Sequence, residues 1–122
     1  MTERRKALSI NKEGAMNTDI NQEAAAKIAA LNDEYRKGTR FTVTPGAQEL
    51  EDFLGLIQAV REYNDFNEDN DPYREHDFGV LYWQGEKIFW KIDYYDDLYE
   101  TWHSPLSPDC NRLLTIMLAE EY

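Results

Sequence analysis

The sequence predicts an α+β domain: a small antiparallel sheet of about three strands packed against helices, in the order α-β-α-β-β-α. Three observations lead there. Apolar residues recur at helical spacing over 24–35 and again over 50–60. Residues 78–95 alternate around a central glycine and are rich in aromatic and β-branched side chains. A chain of 122 residues with 42% hydrophobic residues suffices for one core.

Residues 1–18 show no periodicity and are expected to form a disordered lead, leaving 19–122 as the single domain. Thr18 or Asp19 caps a first helix, in which Ala24, Ile28, Leu31 and Tyr35 share a face and Lys37-Gly38 closes the end. Arg40-Phe41-Thr42-Val43-Thr44 reads as a short strand. Thr44-Pro45 then opens a second helix with Leu50, Phe53, Leu54, Ile57 and Val60 as its stripe, ending near Tyr63-Asn64. Asn64 to Arg74 is polar and contains Pro72, so it is a loop.

A β-hairpin follows. A three-residue loop, Trp83-Gln84-Gly85, sets Tyr82 opposite Glu86, Val80 opposite Ile88, Phe78 opposite Trp90 and His76 opposite Ile92. This register gathers Phe78, Val80, Tyr82, Ile88, Trp90 and Ile92 on one core face. Leu98 to Asp109 holds two prolines and is irregular. The run Leu113-Leu114-Thr115-Ile116-Met117-Leu118 is expected to form a last helix that begins at Ser107 or Asp109 and docks centrally.

Charge is the strongest global signal. There are 24 acidic and 13 basic residues, for a net charge of -11 and a mean hydropathy of -0.74. Residues 61–100 alone carry twelve acids and four bases. Such a surface repels phosphate backbones and attracts basic patches, which argues against direct nucleic-acid binding. No apolar run is long enough to span a bilayer, and residues 1–17 lack the apolar stretch of a secretory signal. One cysteine permits no internal disulfide. The expected location is the cytoplasm.

Several segments carry a resemblance. They are Ala30-Leu31-Asn32-Asp33, Thr44-Pro45-Gly46, Asn70-Asp71-Pro72, Glu75-His76-Asp77-Phe78-Gly79, Trp90-Lys91-Ile92-Asp93-Tyr94-Tyr95-Asp96 and Leu114-Thr115-Ile116-Met117-Leu118-Ala119-Glu120-Glu121-Tyr122. Over roughly residues 28–122 the chain resembles a bacterial family that is one of the domains of unknown function. The resemblance implies a small cytoplasmic protein of a kind common on plasmids and other mobile elements. It brings no activity, so no catalytic role carries over.

Two groupings of residues bear chemistry. In the expected register Glu75, Asp77 and Asp93 share an exposed sheet face with Lys91, a set that suits a hard cation such as Mg²⁺ or Ca²⁺. The plainer reading is an Asp77–Lys91 cross-strand pair with solvated neighbours. Alternation sends His76 to the opposite face, where it caps the core edge near Ile92; as a general base it would pair with Asp93 or Asp96. Cys110 near a helix start would have its thiolate favoured, but Asp109 opposes that and the thiol reads as inert. No glycine-rich phosphate loop and no zinc-ligand set is present, and no cofactor is expected.

The second grouping is Tyr94-Tyr95-Asp96-Asp97-Leu98-Tyr99-Glu100-Thr101-Trp102, where rings alternate with carboxylates. Tyr95, Tyr99 and Trp102 are candidate anchors, with charge from Asp69, Asp71, Asp93, Asp96, Asp97 and Glu100. The first expectation is therefore a non-enzymatic acidic protein that binds a basic surface of a partner protein. Its concrete form is an inhibitor of a nucleic-acid-directed defence system, of the anti-CRISPR or anti-restriction type, acting by phosphate mimicry. The alternative is a divalent-metal-dependent hydrolase using Glu75, Asp77 and Asp93 with His76. A homodimer through the aromatic hairpin is the third class.

Overall fold

A computed structural model describes residues 15–122, with side chains from Asn21 onward. Helix α1 spans Ala15–Arg36, strand β1 Thr42–Val43, helix α2 Pro45–Gln48 and helix α3 Phe53–Arg61. Strands β2 (Phe78–Trp83), β3 (Glu86–Tyr95) and β4 (Asn111–Leu118) follow, and a 3-10 turn at Ala119–Glu121 ends the chain. The four strands form one mixed sheet in the order β1-β4-β3-β2. β2–β3 and β3–β4 are antiparallel, and β1 joins β4 in parallel. The α+β class stands, with one more strand than the sequence predicts.

That extra strand is β4. Its apolar run was expected to be a helix, and such a run does not distinguish a buried helix from a buried strand. Two features favour the strand. Thr115 and Ile116 are β-branched, and six apolar or β-branched residues in succession suit an element covered on both sides. β4 lies between β3 and β1, with Leu114, Ile116 and Met117 buried, so the central position expected for this segment is right although its conformation is not.

The hairpin register also differs by one residue. The loop is two residues, Gln84-Gly85, both with positive φ (52° and 80°), the pattern whose twist matches the flanking strands. Gly79 therefore faces Trp90, Leu81 faces Ile88, and Phe78 faces Lys91. Bulk decides the pairing: a Cβ on Gly79 would lie 2.2 Å from Trp90 Nε1, so only glycine admits the indole there. Ile88, Trp90, Ile92 and Tyr94 point into the core, joined by Leu114 and Ile116 from β4 and Leu56 and Val60 from α3. Phe78, Val80 and Tyr82 go to the other face of the sheet, where Phe78 and Phe89 pack at 5.1 Å and Tyr122 meets Phe89 edge-on at 5.5 Å.

The helices differ in two further respects. The expected second helix is two, α2 and α3, divided at Asp52, which adopts a left-handed backbone (φ 54°) and accepts from Gly55 N–H as N-cap of α3. Thr44 precedes Pro45 at the start of α2 as expected, but its hydroxyl bonds Glu121 rather than the helix. α1 begins at Ala15, so the expected cap at Thr18 or Asp19 falls inside the helix; residues 1–14 of the expected lead lie outside the described residues.

The buried face of α1 is not the expected Ala24, Ile28, Leu31 and Tyr35 stripe. It is Ala25, Ile28, Ala29, Asn32 and Arg36, while Leu31 is exposed. Asn32 is 0% and Arg36 2% exposed. Arg36 Nε and Nη2 donate to the carbonyls of Val60 and Tyr63 at 3.0 Å each, and Nη1 bonds Asp33 Oδ1. Its guanidinium lies 4.9 Å from the centre of the Trp90 ring and 5.4 Å from that of Phe66. One side chain thus ties α1 to the end of α3 and to the sheet.

The free edge of the sheet, β2, is protected. The Tyr63 hydroxyl receives the Val80 N–H and lies 3.2 Å from the Val80 carbonyl, occupying both outward backbone groups of that residue.

Two outcomes follow from this packing. Gly79→Ala forces the indole aside, and overpacking of this kind lowers stability by about 1–3 kcal/mol in denaturant titration. Arg36→Met removes a donor from the carbonyls of Val60 and Tyr63 and from the Asp33 carboxylate; urea unfolding should show a loss of about 3 kcal/mol. A midpoint unchanged from wild type would show that the guanidinium anchors nothing.

Candidate functional site

The β3–β4 connection, residues 96–110, folds back on the end of β3. Asp96 organises it. Its Oδ1 accepts from the N–H groups of Leu98 and Glu100, its Oδ2 from the Thr101 hydroxyl, and its own N–H donates to Thr101 O at 2.9 Å. Trp102 then bridges Tyr95, and His103 N–H donates to the Tyr94 carbonyl. Farther on, Pro105 is buried, and its carbonyl accepts from Arg112 Nη2 at 2.7 Å. Asn111 Nδ2 reaches back to Asp96 O and Asp97 Oδ1. The loop is held by hydrogen bonds at both ends and buries Pro105, but leaves its larger apolar side chains partly exposed.

Those side chains therefore remain outside. Leu98 is 72% exposed, and Tyr99, Trp102 and Leu106 are each 45–49% exposed. Asp97, Glu100 and Asp109 are exposed among them. From Ile92 to Asn111 there is no lysine or arginine, and none of the ion pairs among the described residues involves Asp96, Asp97, Glu100 or Asp109. Rings, aliphatic tips and uncompensated carboxylates occupy one ordered segment.

The structure divides the expected partner-binding residues. Asp97, Tyr99, Glu100 and Trp102 lie exposed on this loop, and Asp69 is exposed on the 64–74 loop. Tyr95 is half-buried with its ring 5.9 Å from Tyr99. Asp96 is engaged in holding the turn, and the Glu100 N–H and Thr101 hydroxyl pull its carboxyl below the usual range. Asp93 does not offer free charge, because Lys91 Nζ sits 2.6 Å from its Oδ2. Burial alone would lower the Lys91 pKa, but the hydrogen bond and charge of Asp93 outweigh it and the pKa is raised. Asp71 is buried; its Oδ1 accepts from Glu75 N–H and His76 N–H and shapes the chain before β2. Leu98, Leu106 and Asp109 belong to the same surface and were not singled out by sequence. Their signal is an apolar pair in a proline- and serine-rich stretch with no periodicity to bury it.

The carboxylates proposed for a metal do not converge. Glu75 (0% exposed) and Asp77 (1%) are buried, and Glu75 Oε1 lies 3.5 Å from the Tyr94 hydroxyl on the core side. Asp93 alternates to the opposite face of β3 from Tyr94. The one-residue change in register produces this separation, and it also leaves Asp77 without the expected facing position to Lys91. Among the described residues no three of His, Cys, Asp and Glu are grouped to hold a metal ion.

His76 is neither opposite Ile92 nor beside Asp93 or Asp96. It has a left-handed backbone (φ 57°), its ring stacks flat on Phe66 at 3.8 Å, and Nδ1 lies 2.9 Å from Asp33 Oδ1. Nε2 is 3.7 Å from Asp71 Oδ2. The ring is clamped by two carboxylates and a phenyl face, an arrangement that pins the 64–77 segment to α1. Around it Asn32 Nδ2 donates to Glu75 O and the Tyr94 hydroxyl, while Asn32 Oδ1 accepts from Arg112 Nε. Cys110 precedes a strand, not a helix, and burial pushes the pKa of its thiol up.

A second set of carboxylate bonds sits at the chain's end. Glu121 accepts from the Thr44 hydroxyl, Gly46 N–H and Leu118 N–H, and these bonds, the Thr44 hydroxyl foremost, lower its pKa. A depressed carboxylate binds fewer protons in the folded state. Its contribution is therefore present above the unfolded value of about 4.3 and disappears as pH falls through the folded value. The same sign holds for Asp96. Glu121→Gln should lower the melting temperature at neutral pH and flatten the acid limb of stability against pH; parallel limbs in mutant and wild type would remove this assignment.

No helix among the described residues is long and apolar enough to cross a membrane. No curated protein and no solved structure matches the chain. The sequence model of one family, described as a protein of unknown function (DUF3768), matches residues 25–121, which takes in α1 from Ala25 through the C-terminal 3-10 turn and includes every side chain placed in the sites above. The chain belongs to the DUF3768 family.

Proposed function

We propose that this protein is a non-enzymatic interaction protein whose β3–β4 loop binds a basic surface on a partner protein. The observation that carries the reading is the exposure of Leu98, Tyr99, Trp102 and Leu106 within a segment that holds uncompensated carboxylates and no lysine or arginine. Aromatic and aliphatic tips supply contact area that gains from leaving water, and carboxylates spaced between them meet arginine and lysine. The loop is already ordered by Asp96 and by Arg112 on Pro105, so little conformational entropy is lost when it docks.

A basic partner surface of this kind is common where proteins hold nucleic acid. The concrete form of the proposal is an inhibitor of a nucleic-acid-directed defence enzyme, of the anti-restriction or anti-CRISPR type. Carboxylates at Asp97, Glu100 and Asp109 would stand where phosphates bind, in the cytoplasm.

The test is displacement of labelled DNA or RNA from such an enzyme as the protein is added, at low and at physiological salt. Affinity should fall steeply with salt. Reversal of Asp97 and Glu100 to lysine should slow association, and Trp102→Ala should weaken binding about tenfold or more, the size expected of a buried aromatic anchor. Displacement that ignores salt and both reversals would sink the electrostatic reading.

A further inference from the structure

One cleft among the described residues lies apart from the exposed apolar tips of the acidic loop. It opens between the C-terminal turn of α1 and the start of β4, has a volume of about 400 Å³, and is lined chiefly by Leu31, Glu34, Tyr35, Arg40 and Arg112. In a chain of net charge -11 this concave site holds two guanidinium groups against one carboxylate. We propose that it is a binding site for a small organic anion, with a phosphate or carboxylate head against Arg40 and Arg112 and a flat or apolar body against Leu31 and Tyr35.

Four observations carry this. The volume lies in the range of small-molecule pockets, roughly 300–1,000 Å³. Arg112 is preorganised: Nε is fixed by Asn32 Oδ1 at 2.6 Å, Nη2 by Pro105 O at 2.7 Å, and the guanidinium stands 5.4 Å from the centre of the Tyr94 ring. Its Nη1 makes no hydrogen bond to the described residues, so a donor remains for a ligand in a fork whose direction is set. Arg40 is exposed at the cleft and takes part in none of the ion pairs among the described residues, so its donors are also available. Finally, Leu31 is 42% exposed on a helix whose other large aliphatic residue among the described side chains, Ile28, is buried, and the half-buried Tyr35 ring lies one turn on.

The net charge does not forbid this. At physiological ionic strength fields are screened over about 8 Å, so a head group touching two guanidinium groups responds to them before it responds to distant acids. Two-point recognition of an oxyanion is the geometry for which arginine is suited. Glu34 at the rim disfavours bare multivalent anions and suits a ligand that also carries a hydroxyl or amine. The site shares Arg112 with the loop that docks the partner protein, whose Pro105 carbonyl holds Nη2.

Backbone NMR titration tests it, with phenyl phosphate and benzoate as probes and sodium chloride at matched ionic strength as control. Saturable shifts confined to amides 31–40 and 111–113 are expected. A response to phenyl phosphate alone assigns the head as phosphate, and a response to benzoate alone assigns it as carboxylate. Arg40→Gln is the variant of choice, since Arg40 is exposed and holds no ion pair among the described residues, and it should weaken binding about tenfold, the loss of one charge-assisted contact. Absence of saturable shifts with both probes, shifts centred elsewhere, or affinity undiminished in Arg40→Gln would each overturn the proposal.

Discussion

The structure depends on a charged group placed where a hydrophobic one would be expected. Arg36 lies in the core at 2% exposure, between two aromatic rings, with its donors spent on the last carbonyls of α3 and on Asp33. A buried guanidinium is tolerated only when its hydrogen bonds are met and its charge is balanced. Here the carbonyls of Val60 and Tyr63, at and just past the end of α3, accept from the guanidinium, and Asp33 supplies the balance. Arg36 and α3 thus satisfy each other, which fixes the crossing of α1 over the sheet. Asp33 in turn holds His76, so the same charge balance reaches the segment leading into β2.

A second constraint sets what the sheet can present. Trp90 fills the centre of the core and needs an absent side chain on the neighbouring strand, which Gly79 provides. Once that pair is made, every other side chain of β2 and β3 has its face decided. Glu75 and Asp77 turn inward, Asp93 outward, and Lys91 lies on the same face as Asp93 and neutralises it. A chemical question, whether three carboxylates can gather on one ion, is answered by the size of one indole.

Much of the fold was legible in the sequence because periodicity reports burial. A helix ending near residue 61, the 78–95 hairpin, a short strand before Pro45 and the irregular 96–110 segment are all present, although Leu56 rather than Leu54 is the buried leucine of α3 and the hairpin register is shifted by one. What escaped did so for identifiable reasons. A continuous apolar run such as Leu113–Leu118 has no period, and β4 could not be separated from a buried helix without knowing its neighbours. Asn32 and Arg36 fall outside the apolar stripe that periodicity picks out, and their partners lie in segments far along the chain and leave no local signal. The hairpin register turned on preferring large residues inward, when the decisive inward residue was the smallest. The aromatic and acidic loop was legible as a candidate surface. Its internal assignments were not, since nothing in the order Asp96-Asp97 tells which carboxylate folds the turn and which faces solvent.

The distribution of polar groups suggests why the acidic loop can be both rigid and exposed. Loops that bury their own apolar residues become ordered by hiding what a partner would use. This one is ordered by other means: Asp96 satisfies the turn's N–H groups, Asn111 ties its first carbonyl, and Arg112 ties Pro105. Arg112 is itself oriented by Asn32, which belongs to the buried polar set that holds α1 and the sheet together. Order is therefore transmitted from the core to the loop through hydrogen bonds, while Leu98, Tyr99, Trp102 and Leu106 keep much of their side-chain surface exposed. If that is the arrangement, replacing Asn32 by leucine should disturb the loop more than its distance in sequence implies. Hydrogen exchange at Leu98–Ser107 should quicken in Asn32→Leu beyond the change set by global stability, and equal slowing or quickening across α3 and the loop would show that the coupling is only that of shared unfolding.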